Sequence, residues 1–151
     1  MEYTVTKFFH VVFAIIAVGF NASYGLWLAR AAREPAGTQL FALRTIKLMD
    51  DRIANPLYVL LALSGLFMVF TAGYPLTTLW IALAITLYVI AIVYAIAVIT
   101  PNLRTALRAL EAEGPASAAY KTAMARGRMF GMAISVVVLA IVFLMVTKPT
   151  F

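Results

Sequence analysis

The chain of 151 residues contains no cysteine and only one histidine. The lack of cysteine excludes disulfides, thiolate zinc sites, iron–sulfur clusters and covalently attached c-type haem, and it leaves the redox compartment open. One imidazole and six acidic residues also argue against a transition-metal site built from protein ligands alone.

Charged residues are scarce as well. They make up 12% of the chain, where about 25% is usual for a soluble domain, while 64% of the residues are hydrophobic against a usual ~45–50%. A compact soluble fold of this size leaves much of its chain facing water, so it has no place for so much apolar surface. Hydrocarbon must therefore surround much of the chain.

Four apolar runs are long enough to cross a bilayer, which takes about 20 residues per helix. They cover roughly residues 4–29, 56–72, 76–99 and 129–147. The first run is longer than the ~7–15-residue core of a signal peptide, so we expect it to be retained as a span. The sequence thus predicts one all-α domain over residues 1–151, an integral membrane antiparallel four-helix bundle with helical cytoplasmic extensions.

The basic residues predict how the bundle is oriented. Ten of the 12 lie in the two long polar segments 30–54 and 100–128, and the other two are Lys7 and Lys148. The positive-inside rule places both long segments in the cytoplasm and both termini outside, for a multi-pass protein of the bacterial inner (cytoplasmic) membrane. Because the charge lies beside apolar runs, membrane lipids are its expected partner, and nucleic acid is not.

The polar segments carry helical signals. Leucines recur at helical spacing in both, Lys47 and Asp51 form an i,i+4 pair, and Ser117 can cap a helix after the stop at Gly114-Pro115. These segments either lie on the membrane surface or extend the spans, or they dock a cytoplasmic partner. Asn55-Pro56 allows two interpretations, either the start of a new helix or a kink in a continuous one.

No acidic or basic residue lies at the middle of any predicted span. A charge there costs roughly 2.5–3.5 kcal/mol and usually marks a functional site. Its absence argues against an ion-coupled transporter with a midplane carboxylate, and the lack of a Ser/His or paired-Asp arrangement argues against a membrane protease. The sequence therefore favours a protein that is not an enzyme.

The first span carries the richest polar stripe. Seven residues follow each other at steps of four and three, so they share one helix face, which should turn toward the bundle interior. They are Tyr3, Lys7, His10, Ala14, Ala17, Asn21 and Tyr24.

Several residues of the spans have two possible roles. His10 is either a haem axial ligand or proton-handling group, or an interfacial histidine that is hydrogen-bonded to a neighbouring helix. Asn21 is either an interhelical hydrogen-bonding residue or a ligand contact. Three tyrosines of later spans can donate to a headgroup or quinone carbonyl, or simply pack: Tyr58, Tyr88 and Tyr94.

Three stretches resemble the predicted integral membrane proteins grouped as domain of unknown function 2269. They are Lys7-Phe8-Phe9-His10 with Gly19 downstream, residues 48–66 from Leu-Met-Asp through Asn-Pro to Gly-Leu, and residues 144–149, Leu-Met-Val-Thr-Lys-Pro. The resemblance covers nearly the whole chain and implies a membrane protein of an uncharacterised family.

The same stretches are more distantly similar to HemJ-type protoporphyrinogen oxidases and CopD-type copper-resistance membrane proteins. In the HemJ type a first-helix histidine binds haem b and a late lysine is characteristic, which implies haem iron on His10 and a role for Lys148 before Pro149. Those enzymes have a further histidine in a later helix. The predicted third span here has none, so two-histidine ligation within one chain is excluded.

Three functional hypotheses follow. The first is a membrane protein that binds a lipid-like ligand or serves as an accessory subunit, as a homo-oligomer or in a larger membrane complex. The second is a haem b-binding redox protein with His10 as axial ligand and Lys7 or Lys148 paired with a propionate. Whichever ligand is bound, Tyr3, Asn21 and Tyr24 are the predicted ligand-facing residues of the stripe. The third is a small transporter or metal-handling component.

Overall fold

A computed structural model describes residues 1–149 of the chain as four long helices. They are α1 (Glu2–Ala31), α2 (Ala36–Thr71), α3 (Leu79–Glu113) and α4 (Ala118–Thr147). All four are long and apolar enough to cross a membrane, and no strand occurs within residues 1–149. The predicted all-α membrane four-helix bundle is confirmed.

Two of the helices are much longer than the predicted spans. At 1.5 Å per residue, the 36 residues of α2 and the 35 of α3 measure about 54 and 52 Å. The hydrocarbon core is about 30 Å thick, so each helix has roughly 20 Å to spare. The extra length lies in the segments predicted as helical extensions. We call this end of the bundle, residues 30–54 and 100–128, the extension end.

The third helix begins at Leu79, three residues after the predicted start at Leu76. The difference has a local cause. Gly73 has a φ of 70°, and the Thr78 N–H bonds to the Pro75 carbonyl at 3.0 Å, so the chain is still turning there. Thr78 has extended backbone angles, which ends this turn and starts the helix.

The helices form two antiparallel hairpins, α1 with α2 and α3 with α4. His10 near the start of α1 contacts Ser64 near the end of α2, and Asn102 of α3 donates to the Ala123 carbonyl of α4 at 2.9 Å. Ser117 accepts a hydrogen bond from the Tyr120 N–H at 3.2 Å and so caps α4, as predicted.

A π-helical turn interrupts each of the two long helices. The turns cover Asp50–Ala54 in α2 and Ala95–Ile99 in α3, and a proline follows each at the second position, Pro56 and Pro101. Proline has no N–H and its ring crowds the carbonyl four residues earlier, which a wider turn relieves. Asn55 is helical and caps nothing, so α2 is one continuous helix rather than two.

The best-packed core lies at the extension end. Leu43 of α2 is fully buried there among side chains of α3 and α4, and Leu28 of α1 packs against the same cluster. A buried hydrogen bond of 2.9 Å joins the Tyr120 hydroxyl to Gln39. The cluster consists of Leu43, Ala106, Ala109, Leu110, Tyr120 and Ala123.

Ion pairs line the outside of this core. Arg44 of α2 reaches Glu111 of α3 at 2.8 Å, and the predicted pair of Lys47 with Asp51 is present. Exposed ion pairs of this kind contribute little stability, so packing of the core side chains holds the extensions together.

The membrane-spanning parts present mainly large apolar side chains on their outer faces. Those of α4 are the clearest example, since Val136, Phe143 and Val146 are more than half exposed. Ala17 and Ala84 are small buried residues in these parts, beside the larger buried side chains of Trp80 and Ile81 in α3. Small residues let helix backbones approach closely, while lipid covers the large side chains.

Candidate functional site

The polar stripe of α1 faces α2 along most of its length. Ala17 at its centre is completely buried, and His10 and Tyr24 are partly buried on either side. Tyr3 is also partly buried, whereas Lys7 is exposed. The stripe therefore forms the α1–α2 interface, with Lys7 at its open edge.

His10 is hydrogen-bonded across this interface. Its Nδ1 lies 2.9 Å from the Ser64 hydroxyl, which in turn donates to the Leu60 carbonyl at 2.7 Å. In the tautomer that keeps the serine proton on that carbonyl, Nδ1 carries the hydrogen and donates to Ser64. The neutral ring then has its free lone pair on Nε2. This is the tautomer in which a histidine can bind a metal through Nε2.

Gly65 makes room for the imidazole. A Cβ atom at this position would lie 3.0 Å from Cε1 of His10. That distance is shorter than a normal contact, so the ring lies against the bare backbone of α2. Ser64 and Gly65 together fix the position of His10.

A second polar group joins three helices closer to the extension end. Asn21 of α1 donates to the Tyr58 hydroxyl of α2 at 2.9 Å and to the Ala17 carbonyl at 3.1 Å. The Tyr88 hydroxyl of α3 donates to the Tyr58 carbonyl at 2.6 Å. Asn21 is therefore an interhelical residue, and Tyr88 ties the two hairpins together.

Tyr24 lies beside this group but makes no hydrogen bond. Its hydroxyl is buried and has no partner among residues 1–149. Asp50, the first residue of the π turn, is close enough to act electrostatically on the hydroxyls of both Tyr24 and Tyr58. We call Asn21, Tyr24, Asp50, Tyr58 and Tyr88 the tyrosine cluster.

The two lysines of the haem hypothesis lie elsewhere. The Lys148 ammonium is 5.4 Å from the centroid of the Trp80 ring, which itself packs edge-on against Tyr74. In the described part of the chain, no hydrogen bond or ion pair joins His10 to Lys7 or Lys148. The structure brings His10, Asn21 and Tyr24 to one interface and holds Lys148 against the other hairpin.

Sequence reasoning missed part of the tyrosine cluster. The sequence did not predict Asp50 at the site. For Tyr58 and Tyr88 it left two roles open, donating a hydrogen bond to a ligand or packing. For Asp50 and Tyr58 the signal is a row of positions four residues apart, Ile46, Asp50, Ala54 and Tyr58, each of which is buried or partly buried in the fold. Residues 1–149 contain no group of three His, Asp or Glu side chains able to hold a metal ion.

These contacts and the four long apolar helices define a polytopic α-helical membrane protein. A family described as predicted integral membrane protein (DUF2269) matches residues 4–149, and the chain belongs to that family. No curated protein and no solved structure matches the chain. The more distant resemblance to the HemJ and CopD types stays a prediction.

Proposed function

We propose that this protein binds a lipid-like ligand in the membrane, alone or as an accessory subunit of a membrane complex. The observation that carries the proposal is the Tyr24 hydroxyl, which is buried and unpaired within residues 1–149. A buried polar group without a partner costs about 1–3 kcal/mol. A ligand with a carbonyl or hydroxyl oxygen would supply the missing acceptor.

The surroundings of Tyr24 suit such a ligand. Apolar helices surround the tyrosine cluster, and the neighbouring Asn21–Tyr58–Tyr88 hydrogen bonds hold three helices in place around it. Because the Tyr24 hydroxyl bonds to no protein atom, its side chain can turn toward a ligand without breaking a hydrogen bond. Ligand pockets commonly combine apolar walls with a few polar groups of this kind.

Tyr24→Phe tests the proposal. We expect the variant to retain about fivefold less of the ligand, since one hydrogen bond contributes about 1 kcal/mol. The ligand-free protein should become more stable, because the buried hydroxyl without a partner is removed. Mass spectrometry of apolar compounds that co-purify from native membranes in mild detergent measures the first quantity, and thermal unfolding measures the second.

Tyr94→Phe is the matched control, because Tyr94 packs edge-on against Phe130 on the other hairpin. It should retain the ligand as the wild type does. Absence of any co-purifying apolar compound, or equal retention by Tyr24→Phe and the wild type, would show that the proposed ligand site is wrong.

A second candidate function is haem b binding through His10. The observation in its favour is the Ser64 contact, which leaves the free lone pair on Nε2. The residues around His10 fit haem only in part. The chain has a single imidazole, and Lys148, one of the two lysines predicted to pair with a propionate, lies over the Trp80 ring. When bound, haem would supply one-electron redox chemistry, and His10 would hold the iron from one side only.

The absorption spectrum of protein purified from native membranes tests whether the protein binds haem through His10. Haem ligated by His10 gives a Soret band in the wild type, which we expect to be lost in His10→Ala. If the wild type shows no Soret band even after haem supplementation, the protein does not bind haem. A band that persists unchanged in His10→Ala would remove His10 as the ligand.

We further propose that both termini face outward from a bacterial inner membrane and that the extension end lies in the cytoplasm. Ten of the 12 basic residues support this, since they lie at the extension end.

A further inference from the structure

The extension end contains a groove between α3 and α4 that is separate from the tyrosine cluster. Seven residues line it, of which four are polar and three are alanines. The polar ones are Asn102, Thr105, Thr122 and Arg126. None of the seven is acidic, so the groove has an excess of positive charge and hydrogen-bond donors.

The donors of the groove are largely unused. Arg126 forms no ion pair within residues 1–149, where the ion pairs are Arg44–Glu111 and Lys47–Asp51. Asn102 uses one amide hydrogen for the Ala123 carbonyl and keeps the other. The Thr122 hydroxyl makes no hydrogen bond in the described part of the chain. A guanidinium, an amide and a hydroxyl of the groove thus have donor hydrogens that are free for acceptors.

The groove lies where the uncharged, membrane-spanning stretches of α3 and α4 end. In α4 no charged residue follows Arg128 up to Thr147, and in α3 none precedes Arg104 back to Leu79. The uncharged stretch of α4, residues 129–147, measures about 28 Å at 1.5 Å per residue, close to the thickness of the hydrocarbon core. Because Asn102 contacts Ala123, the first charged residue of α3, Arg104, and the last of α4, Arg128, lie about 10 Å apart along the bundle axis at 1.5 Å per residue, and the groove lies at this boundary.

An apolar surface leads from the groove into the membrane. Met129, Ala133 and Val136 follow Arg126 at three, seven and ten residues, so they share its helix face. All three are exposed, Val136 to 68%. A lipid whose headgroup fills the groove would lay its acyl chains along this surface.

We propose that the groove binds the phosphate headgroup of an anionic phospholipid. The charge of this end agrees with that occupant, since residues 30–54 and 100–128 contain ten basic and five acidic residues. Basic pockets between helices on the cytoplasmic side of a membrane are typical sites for such headgroups. The site shares no residue with the tyrosine cluster and does not depend on the proposed ligand there.

Native mass spectrometry of the full chain from nanodiscs of phosphatidylcholine and phosphatidylglycerol tests this proposal. We expect Arg126→Gln to retain about tenfold less phosphatidylglycerol than the wild type, the lower end of what one hydrogen bond to a charged group contributes. Thr122→Val should also reduce retention. Lys121→Gln is the matched control, because it removes the same charge from the same helix outside the groove, and it should retain phosphatidylglycerol within twofold of the wild type.

Three results would overturn the proposal. Equal losses in Arg126→Gln and Lys121→Gln would mean that only the overall charge attracts the lipid. Unchanged retention in Arg126→Gln would remove the groove as the site. Binding of inorganic phosphate with no phosphatidylglycerol retained would show that the groove binds the free ion rather than the lipid headgroup.

Discussion

Leu43→Ala is expected to lower the free energy of unfolding by about 2–5 kcal/mol, the usual cost of removing a buried leucine side chain. Leu43 is 0% exposed, and its side chain fills the centre of the core at the extension end. The surrounding helices come from both hairpins and cannot all move to close the cavity. Unfolding in mixed micelles with increasing denaturing detergent, followed by circular dichroism, measures the loss.

Leu48→Ala is the control for this prediction. Leu48 lies in the same extension but is 58% exposed, so its truncation should change stability by less than about 0.5 kcal/mol. Losses of equal size in the two variants would contradict the packing described for this core.

The second prediction with a large expected effect is the side of the membrane on which each interhelical turn lies. Because the chain has no cysteine, a single introduced thiol reports one position without background. We expect Thr77→Cys, in the turn between α2 and α3, to react fully with a membrane-impermeant maleimide in intact spheroplasts. Ala116→Cys, in the turn between α3 and α4, should react only after permeabilisation, since the extension end is proposed to face the cytoplasm. Gel-shift labelling measures both.

Both positions are exposed in the fold, so permeabilised cells should label the two variants alike. The reverse pattern in intact cells, with Ala116→Cys labelled and Thr77→Cys protected, would place the termini in the cytoplasm.

The features that sequence alone predicted are those with local causes. The four helices follow from the lengths of the apolar runs, and the helical extensions from the spacing of leucines such as Leu43. The cap at Ser117 needs only a hydroxyl three residues before a free N–H. Each of these signals lies within a few turns of helix, so one stretch of sequence contains all of it.

The partners of the site residues could not be predicted in the same way. His10 meets Ser64 and Asn21 meets Tyr58 through helix pairing, which brings together residues 54 and 37 positions apart. Many pairs of apolar helices fit equally well on periodicity alone. Pro56 remained ambiguous because proline suits both the first turn of a helix and the residues after a π turn.

The π turn in α2 has a consequence for helical phase. An α-helix advances 100° per residue, so a row of positions four apart drifts by about 40° at each step and by about 120° from Ile46 to Tyr58. The wider turn at Asp50–Ala54 absorbs that drift, and all four positions of the row stay on the inner side. The core of the extension and the tyrosine cluster of the span are thereby kept in phase. Inserting or deleting one residue between them would rotate one part of α2 by about 100° relative to the other. Either the extension core or the tyrosine cluster would then face outward while the other stayed packed.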